Sequence, residues 1–367
     1  MKPDERVMNY IDGFMSGYRN YKENWNYEDG CVLLAAKDMY EAVGDTKYID
    51  FIEKYLKGFI TDDGEILRYS IENYNIDNIL SGRVLYFMYD RTGEEKYRKA
   101  IEVLMDQLRT HPRCSTGNFF HKKIYPDQIW LDGLYMGQPF YMEYETRYDG
   151  KEKYNDIIDQ FRNVEKYLGN KEKGLNYHAC DISKTAFWAN KETGCSANFW
   201  LRSMGWYMMA LIDVMDVMSE EIFEHYAYLR DIFREHMTGL LQYQDPETGL
   251  FRQVIDRPDV EGNYLETSGS SMIAYAILKG CRKGVLLPEK YLPIGRKIME
   301  GLLEHKLITK DGKTELTGIC QVAGLGPENN PVRDGSVEYY LSEKIVSDDS
   351  KGVGPFIMAY SEYLKVD

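Results

Sequence analysis

No two cysteines in this chain stand at the CxxC spacing of a redox pair or a zinc knuckle, and none has a histidine companion at metal-ligand spacing. Cys31, Cys114, Cys180, Cys195, Cys281 and Cys320 therefore read as reduced, mostly buried thiols. Histidine is scarce, with six in 367 residues, and dispersed, which argues against a His-based metal centre. There is no phosphate loop, no dinucleotide fingerprint and no Gly-x-Ser-x-Gly elbow. Positive charge is short as well. Lys and Arg number 45 against 59 Asp and Glu, a net charge of -14, so neither nucleic acid nor an anionic membrane suits the chain as its main partner. A small anionic ligand remains compatible, provided cations gather locally. No apolar run is long enough to span a bilayer, and the opening MKPDERVMNYIDGF has charges where a signal peptide needs an apolar core. The expectation is a soluble, cytoplasmic protein, a monomer or homodimer, with no metal and no cofactor.

What the chain has in quantity is aromatic residues, 14% of the total with 31 Tyr, which suit a cleft that stacks on sugar rings and equally suit helix packing. It also has an internal repeat. Apolar helical stretches containing a small residue recur six times, anchored on Gly30, Gly82, Gly133, Gly205, Gly269 and Gly354. Their small and apolar residues lie on nearly every side, as in helices enclosed by other helices. Between them run amphipathic helices with a charged face, four opening on the Lys-Tyr pairs at Lys47, Lys96, Lys153 and Lys290. The N-terminal segment from Asp4 to about Tyr21 supplies the outer helix that the count otherwise lacks. Period and number predict an all-α fold, a closed barrel of six inner and six outer helices with short strands in the loops. With no linker-like shift in composition, residues 1–367 read as a single domain.

The loops on one side of this barrel carry the residues with chemistry. QIWLDGLYMGQPFYMEY, Gln128 to Tyr144, reads as a helix starting just after Pro126, with Asp132 in its first turn among Trp130, Leu131 and Leu134. A carboxyl among aromatics loses hydration, which favours its protonated form, although an Asp at a helix N-terminus can simply answer the dipole. Asp77 is its expected companion, since two nearby carboxylates resist ionising together; an N-cap role is the alternative. Arg202, between Trp200 and Trp206, needs an anionic partner, either an internal acid or a ligand carboxylate. His121, Lys122 and Lys123 form a basic cluster close to Asp132, either a solvated loop or a cradle for an anionic substrate, and His178 is open to both readings. Extended segments are expected at DDGEILRYS, EKGLNYHACD and ETGLFRQVID, and the long stretch between 314 and 351 reads as an ordered flap over the barrel mouth.

NWNYEDG, GNFFHKKIYPDQIWLDGLYMGQPF, GLNYHACD and FWANKETGCSANFWLRSMGWY, with the late KGVGPFIMAYSEY, resemble the unsaturated rhamnogalacturonyl hydrolases of glycoside hydrolase family 105, relatives of the unsaturated glucuronyl hydrolases. The resemblance runs nearly end to end. It implies an (α/α)6 barrel and hydrolysis of a 4,5-unsaturated galacturonyl residue from the non-reducing end of pectin-derived oligosaccharides, a small anionic oligosaccharide as partner. By motif it places the general acid on Asp132 and its companion carboxylate on Asp77. His178, Trp200 and Arg202 fall on pocket positions, and substrate contacts on Asn26, Tyr27, His121, Lys122, Tyr125 and Trp206. Some relatives carry His where this chain has Asn26, which leaves the aglycone open. An inverting glycosidase on the same barrel, or a non-catalytic sugar-binding helical protein, would fit the same residue types.

Overall fold

The structure is a computed structural model that describes residues 3–366. Outer α1 (Glu5–Gly17) leads into inner α2 (Tyr27–Val43), outer α3 (Lys47–Leu56), inner α4 (Arg83–Thr92) and outer α5 (Glu95–Thr110). Inner α6 (Leu131–Arg147), outer α7 (Tyr154–Tyr167), inner α8 (Leu201–Val217) and outer α9 (Phe223–Leu241) follow. Inner α10 (Thr267–Arg282), outer α11 (Pro288–His305), the short α12 (Val337–Ser342) and inner α13 (Ser350–Lys365) complete the order. Inner and outer helices differ as the sequence pattern requires. In α8 every residue from Leu201 to Met215 is buried, whereas α7 buries Tyr154, Ile157, Ile158, Phe161 and Val164 along one stripe.

The inner helices close a ring. α2 packs on α13 and on the 3₁₀ turn Ile76–Gly82 that precedes α4; that turn packs on α6, α6 on α8, α8 on α10, and α10 on α13. The repeating glycines lie where these helices touch. A Cβ at Gly205 would stand 2.8 Å from Cβ of Met272, and one at Gly354 would stand 2.8 Å from the carbonyl oxygen of Cys31. The small residue in each unit is thus a packing requirement of the ring, and the family of (α/α)6 barrels is the architecture that results.

The starts of the inner helices meet at one end and are tied there by hydrogen bonds. The Ser81 hydroxyl donates to the Asn26 carbonyl at 2.6 Å, and the Trp25 indole donates to the Asn78 carbonyl at 2.8 Å. Ile76 N–H reaches the His121 carbonyl, Leu131 N–H the His178 carbonyl, Leu201 N–H the Gln253 carbonyl and Thr267 N–H the Gly318 carbonyl. A two-stranded ladder supports this rim: β1 (Gln128–Trp130) runs antiparallel to β4 (Ala179–Asp181), pairing Trp130 with Ala179. Between them in sequence, β2 (Gly169–Asn170) pairs with β3 (Leu175–Asn176). The long stretch before α13 is ordered: β5 (Leu307–Lys310) and β6 (Lys313–Leu316) form a hairpin, and β7 (Ile319–Cys320) pairs with β8 (Ile345–Val346) across α12. From there Leu325 is buried and Gly324 lies against the Trp130 ring, so this segment covers part of the mouth.

Three local expectations are corrected. Gln128–Trp130 is a strand, and α6 begins only at Leu131, because the backbone of these residues is committed to β4 after a left-handed turn at Asp127 with φ 57. The helix expected across Gly82 opens as a 3₁₀ turn, the Asn78 carbonyl being taken by Trp25. Of the extended segments, GLNYHACD forms paired strands, while the other two reduce to isolated bridges, Ile60–Ile66 in the first and Arg252–Leu265 and Trp200–Val254 in the last.

The contact at Gly354 makes a stability prediction. Gly354→Ala must displace backbone of α2 and should lower stability by about 1–3 kcal/mol in thermal or urea denaturation. Gly13→Ala, in α1 with nothing within 4 Å of the added carbon, should be neutral or stabilising by up to about 1 kcal/mol. Equal effects at both positions would contradict the ring-contact explanation.

Candidate active site

Asp132 is brought to the mouth by β1, which delivers the chain into the first turn of α6. The partner strand β4 sets His178 beside it, with the Leu131 N–H held by the His178 carbonyl at 3.1 Å. Nε2 of His178 lies 3.4 Å from Oδ2 of Asp132, and both atoms are buried and make no hydrogen bond among the described residues. The imidazole is fully buried, 5.2 Å edge-on from Trp130 and 4.7 Å from Trp200. Its other nitrogen, Nδ1, is 2.7 Å from the hydroxyl of Tyr340 on α12.

Asp77 enters from the neighbouring 3₁₀ turn. Asn75 is the N-cap of that turn, accepting the Asp77 N–H at 3.1 Å, so the Asp77 carboxylate is free of the capping role. The carboxylate takes the Lys122 ammonium at 2.7 Å on Oδ2, and His121 Nε2 stands 3.6 Å from Oδ1. Burial opposes its charge, but the Lys122 ammonium, with smaller help from its other neighbours, holds Asp77 below the usual carboxylate range. Asp77 is therefore held ionised. Between them, the His121 ring stacks on Trp130 at 4.5 Å, with Tyr125 stacked on the same indole at 5.0 Å. Gly133 leaves room for this ring: a Cβ there would lie 3.3 Å from Nδ1 of His121.

The basic cluster expected near Asp132 does not form. Lys122 is engaged by Asp77, and Lys123 points outward with its ammonium 5.7 Å from the Tyr74 ring. Burial pushes His121 down to about 4, so it is neutral near pH 7. Arg202 likewise has internal partners: Nε donates to the Ser268 hydroxyl at 2.8 Å, the guanidinium bonds the Cys320 carbonyl, and Glu266 lies 3.8 Å away. Glu266 in turn accepts the Ser268 and Gly269 N–H groups and caps α10. Asn26 caps α2, accepting the Glu28 and Asp29 N–H groups and donating to Asp29 at 2.6 Å. Trp206 stacks on Tyr135 at 4.9 Å, one turn below Arg202 and Asp132, as an apolar floor between α8 and α6. Tyr27, Lys122 and Asp132 keep partial exposure, whereas His178, Trp200, Arg202 and Trp206 are buried behind them.

Tyr340 and Glu266 escape the sequence reading. Glu266 is an acid directly before the TSGSS helix start, a capping position that could have been recognised. For Tyr340 the only trace is Ser336, which caps α12 by accepting the Tyr339 N–H at 3.1 Å. Among the described residues no group of three or more His, Cys, Asp or Glu is placed to hold a metal ion, and no helix is long and apolar enough to cross a membrane.

The buried histidines set an acid limit. Burial pushes both His111 and His121 down to about 4. An unfolded chain protonates histidine near 6.5, so below that pH the unfolded state takes up protons that the folded state refuses. Stability should fall as pH drops from about 6.5 toward 4, by up to about 1.4 kcal/mol per pH unit for each histidine. Thermal unfolding across that range, with NMR titration of the imidazole resonances, tests this; midpoints near 6 for both rings would refute it.

Residues 4–367 match the family model for Glycosyl Hydrolase Family 88. A glycoside hydrolase from family 105 of C. acetobutylicum ATCC 824 superposes with a TM-score of 0.93 at 44% identity, covering 99% of this chain and 100% of that one. Protein Atu3128 of Agrobacterium fabrum is 40% identical over 233 residues, 62% of this chain and 98% of the relative. An unsaturated 3S-rhamnoglycuronyl hydrolase of Formosa agariphila is 27% identical over 243 residues, 65% of this chain and 58% of the relative. A mouth that holds two carboxyls in unequal surroundings under an aromatic wall, on a barrel matched over almost its whole length, places the chain in glycoside hydrolase family 88/105, among the enzymes of unsaturated glycuronyl hydrolase type.

Proposed function

We propose that the enzyme removes a 4,5-unsaturated galacturonyl residue from the non-reducing end of oligosaccharides left by pectin lyases, in the cytoplasm, with the whole chain acting as one catalytic unit. The observation that carries this reading is the unequal environment of the two carboxyls. Asp77 is held as the anion by Lys122. Asp132 faces His178 and an aromatic wall, and among the described residues it forms no ion pair with a Lys or Arg. Such a pair divides into a proton donor and a fixed charge.

In the proposed reaction Asp132 delivers its proton to C4 of the enol ether, and positive charge develops at C5 and the ring oxygen. The charge of Asp77 stabilises that centre, and the Asp132 carboxylate guides a water to C5, taking the proton the water loses. The hemiketal so formed opens by breaking the bond between C5 and the ring oxygen. The ring oxygen becomes the hydroxyl of a hemiacetal at C1, which collapses and releases the aglycone. No displacement occurs at C1. Tyr27, Tyr125, Trp200 and Trp206 would provide stacking and floor for the sugar, and Lys122, His121 and Arg202 the polar edge that meets its carboxylate. Asn26 would act through its neighbour Tyr27, its own polar atoms being used as a cap.

Two measurements test this. Asp132→Asn keeps size and hydrogen bonding but removes the transferable proton; turnover should drop by at least about 10² with the melting temperature little changed. Near-normal turnover in that variant would remove Asp132 from the role. With the wild type, reaction in heavy water should leave one non-exchanging deuterium at C4 of the released sugar, and the saturated uronide should not be cleaved. Cleavage of the saturated compound, or product without deuterium, would favour a conventional inverting glycosidase.

A further inference from the structure

The two nitrogens of His178 have different neighbours, and only one of them belongs to the catalytic pair described above. Nε2 faces Asp132, while Nδ1 is 2.7 Å from the Tyr340 hydroxyl, reaching in from α12. Both side chains are fully buried, and Tyr340 is fixed by stacking parallel to Trp200, 6.1 Å away at 15°. Its backbone carbonyl accepts from Gln253, whose own carbonyl oxygen takes the Trp200 indole N–H, so ring and main chain are both held. The Tyr340 hydroxyl makes no hydrogen bond to any other described residue, so the acceptor for its hydrogen is His178 Nδ1. Burial, aided by Tyr339 and Asp132, holds this phenol well above its usual range, so the hydrogen stays on the oxygen.

We infer that Tyr340 is a positioning residue: its O–H bond to Nδ1 fixes His178 as the Nε2–H tautomer, which points that N–H at Oδ2 of Asp132 and assigns the transferable proton to Oδ1. The consequence follows from the valence of a carboxyl. When Asp132 is protonated, Nε2–H faces Oδ2 as the carbonyl oxygen and Oδ1 carries the hydrogen. When the proton has left, the same N–H faces the carboxylate that remains, near enough to close into a hydrogen bond. One donor therefore serves both states without a rotation of the ring, and it stabilises the charged state more, which promotes proton delivery. Without the tyrosine, the isolated imidazole is free to place its hydrogen on Nδ1, and two lone pairs, on Nε2 and Oδ2, would then oppose each other at 3.4 Å. The assignment also gives the flap a catalytic consequence: through Tyr340 on α12 it sets which oxygen of the acid is armed. This inference rests on the proposed role of Asp132, but its first test does not.

That first test reads the tautomer alone. In uniformly ¹⁵N-labelled wild-type protein without substrate, long-range ¹H–¹⁵N correlation of the His178 ring at pH 7, assigned by its loss in His178→Gln, should show Nε2 protonated and Nδ1 not. A ring found as Nδ1–H, or as imidazolium, overturns the proposal whatever the substrate proves to be. In Tyr340→Phe, which keeps the stacking ring and removes only the hydroxyl, the Nδ1–H form should rise to a substantial population. On an unsaturated digalacturonide, kcat of that variant should fall by about tenfold or more with KM changed less than about twofold. An unchanged tautomer with unchanged kcat would refute the positioning role; a raised KM at constant kcat would make Tyr340 a binding residue instead. If the wild type shows the Nε2–H form yet does not turn over unsaturated uronides, the tyrosine assignment stands and the proposed substrate falls.

Discussion

A ring of helices closed on itself has no free edge, so each polar group that points inward must be answered from across the barrel. Neither end of this barrel meets that constraint in full: away from the mouth, Asp38 Oδ2 and Arg83 Nη1 are buried without a hydrogen bond. Deep in the ring, Asp213 of α8 is bonded by Arg83 of α4 at 2.8 Å, by Lys279 of α10 at 2.7 Å and by the Tyr275 hydroxyl at 2.8 Å. Three inner helices are thereby joined through one fully buried carboxylate whose charges are matched on several sides. Removing one member of such a network leaves a buried charge, with a cost of about 3–5 kcal/mol. At the mouth the accounting is left incomplete: Asp77 Oδ1, His121 Nδ1, Asp132 Oδ2 and His178 Nε2 are buried without a hydrogen bond of their own. Groups of that kind, gathered from separate repeats, are what a sugar's hydroxyls and carboxylate would answer.

The same constraint explains how far the sequence could be read. The ring is legible because its contacts repeat: a glycine such as Gly205 or Gly354 recurs wherever one inner helix crosses the next, and the stripe on each outer helix follows the helical period. Asp77, Asp132 and Arg202 are legible as acids and a cation set among aromatics. Their partners are not, because partnership here is long-range. Nothing local to Lys122 says that its ammonium will be spent on Asp77 instead of on a ligand. The ion pair of Arg202 with Glu266 spans inner helices α8 and α10, and Tyr340 reaches His178 from a segment far along the chain. Gln128–Trp130 illustrates the same point in the backbone. Its apolar periodicity continues smoothly into α6, and only the presence of Ala179–Asp181 alongside makes it a strand.

The net charge of -14 needs a similar correction when it is brought down to the scale of the cleft. An acidic protein whose proposed substrate is an acidic sugar would, on charge alone, need free cations at its mouth. Instead, Lys122 is neutralised by Asp77, Arg202 has Glu266 close by, and His121 is kept neutral by burial. The cations of the cleft are thus already paired or neutral, and selectivity for the proposed anionic sugar would come from directed N–H groups, not from a general positive field. Arrangements of this kind discriminate through geometry, because a charge already paired gains little from a second anion unless the hydrogen bonds are placed for it.

Placement, in turn, depends on the flap. Gly324 and Leu325 of the flap pack on Trp130, as do His121 and Tyr125, so the indole is held jointly by the flap and by the loop before β1. His178 meets the edge of that indole, the face of Trp200 and the hydroxyl of Tyr340. Moving the flap would therefore disturb three of the surfaces that fix the imidazole at once, and with them the oxygen of Asp132 that faces it. This loop is held to the barrel where Asn198 donates to the Gly335 carbonyl, and is braced within itself where the Gly324 N–H donates to the Tyr339 hydroxyl. An acid whose immediate surroundings are set by such a tethered cover can be tuned by the cover's sequence without altering the ring beneath. This separates the part of the chain that must be constant for the barrel to close from the part free to change with the sugar it accepts.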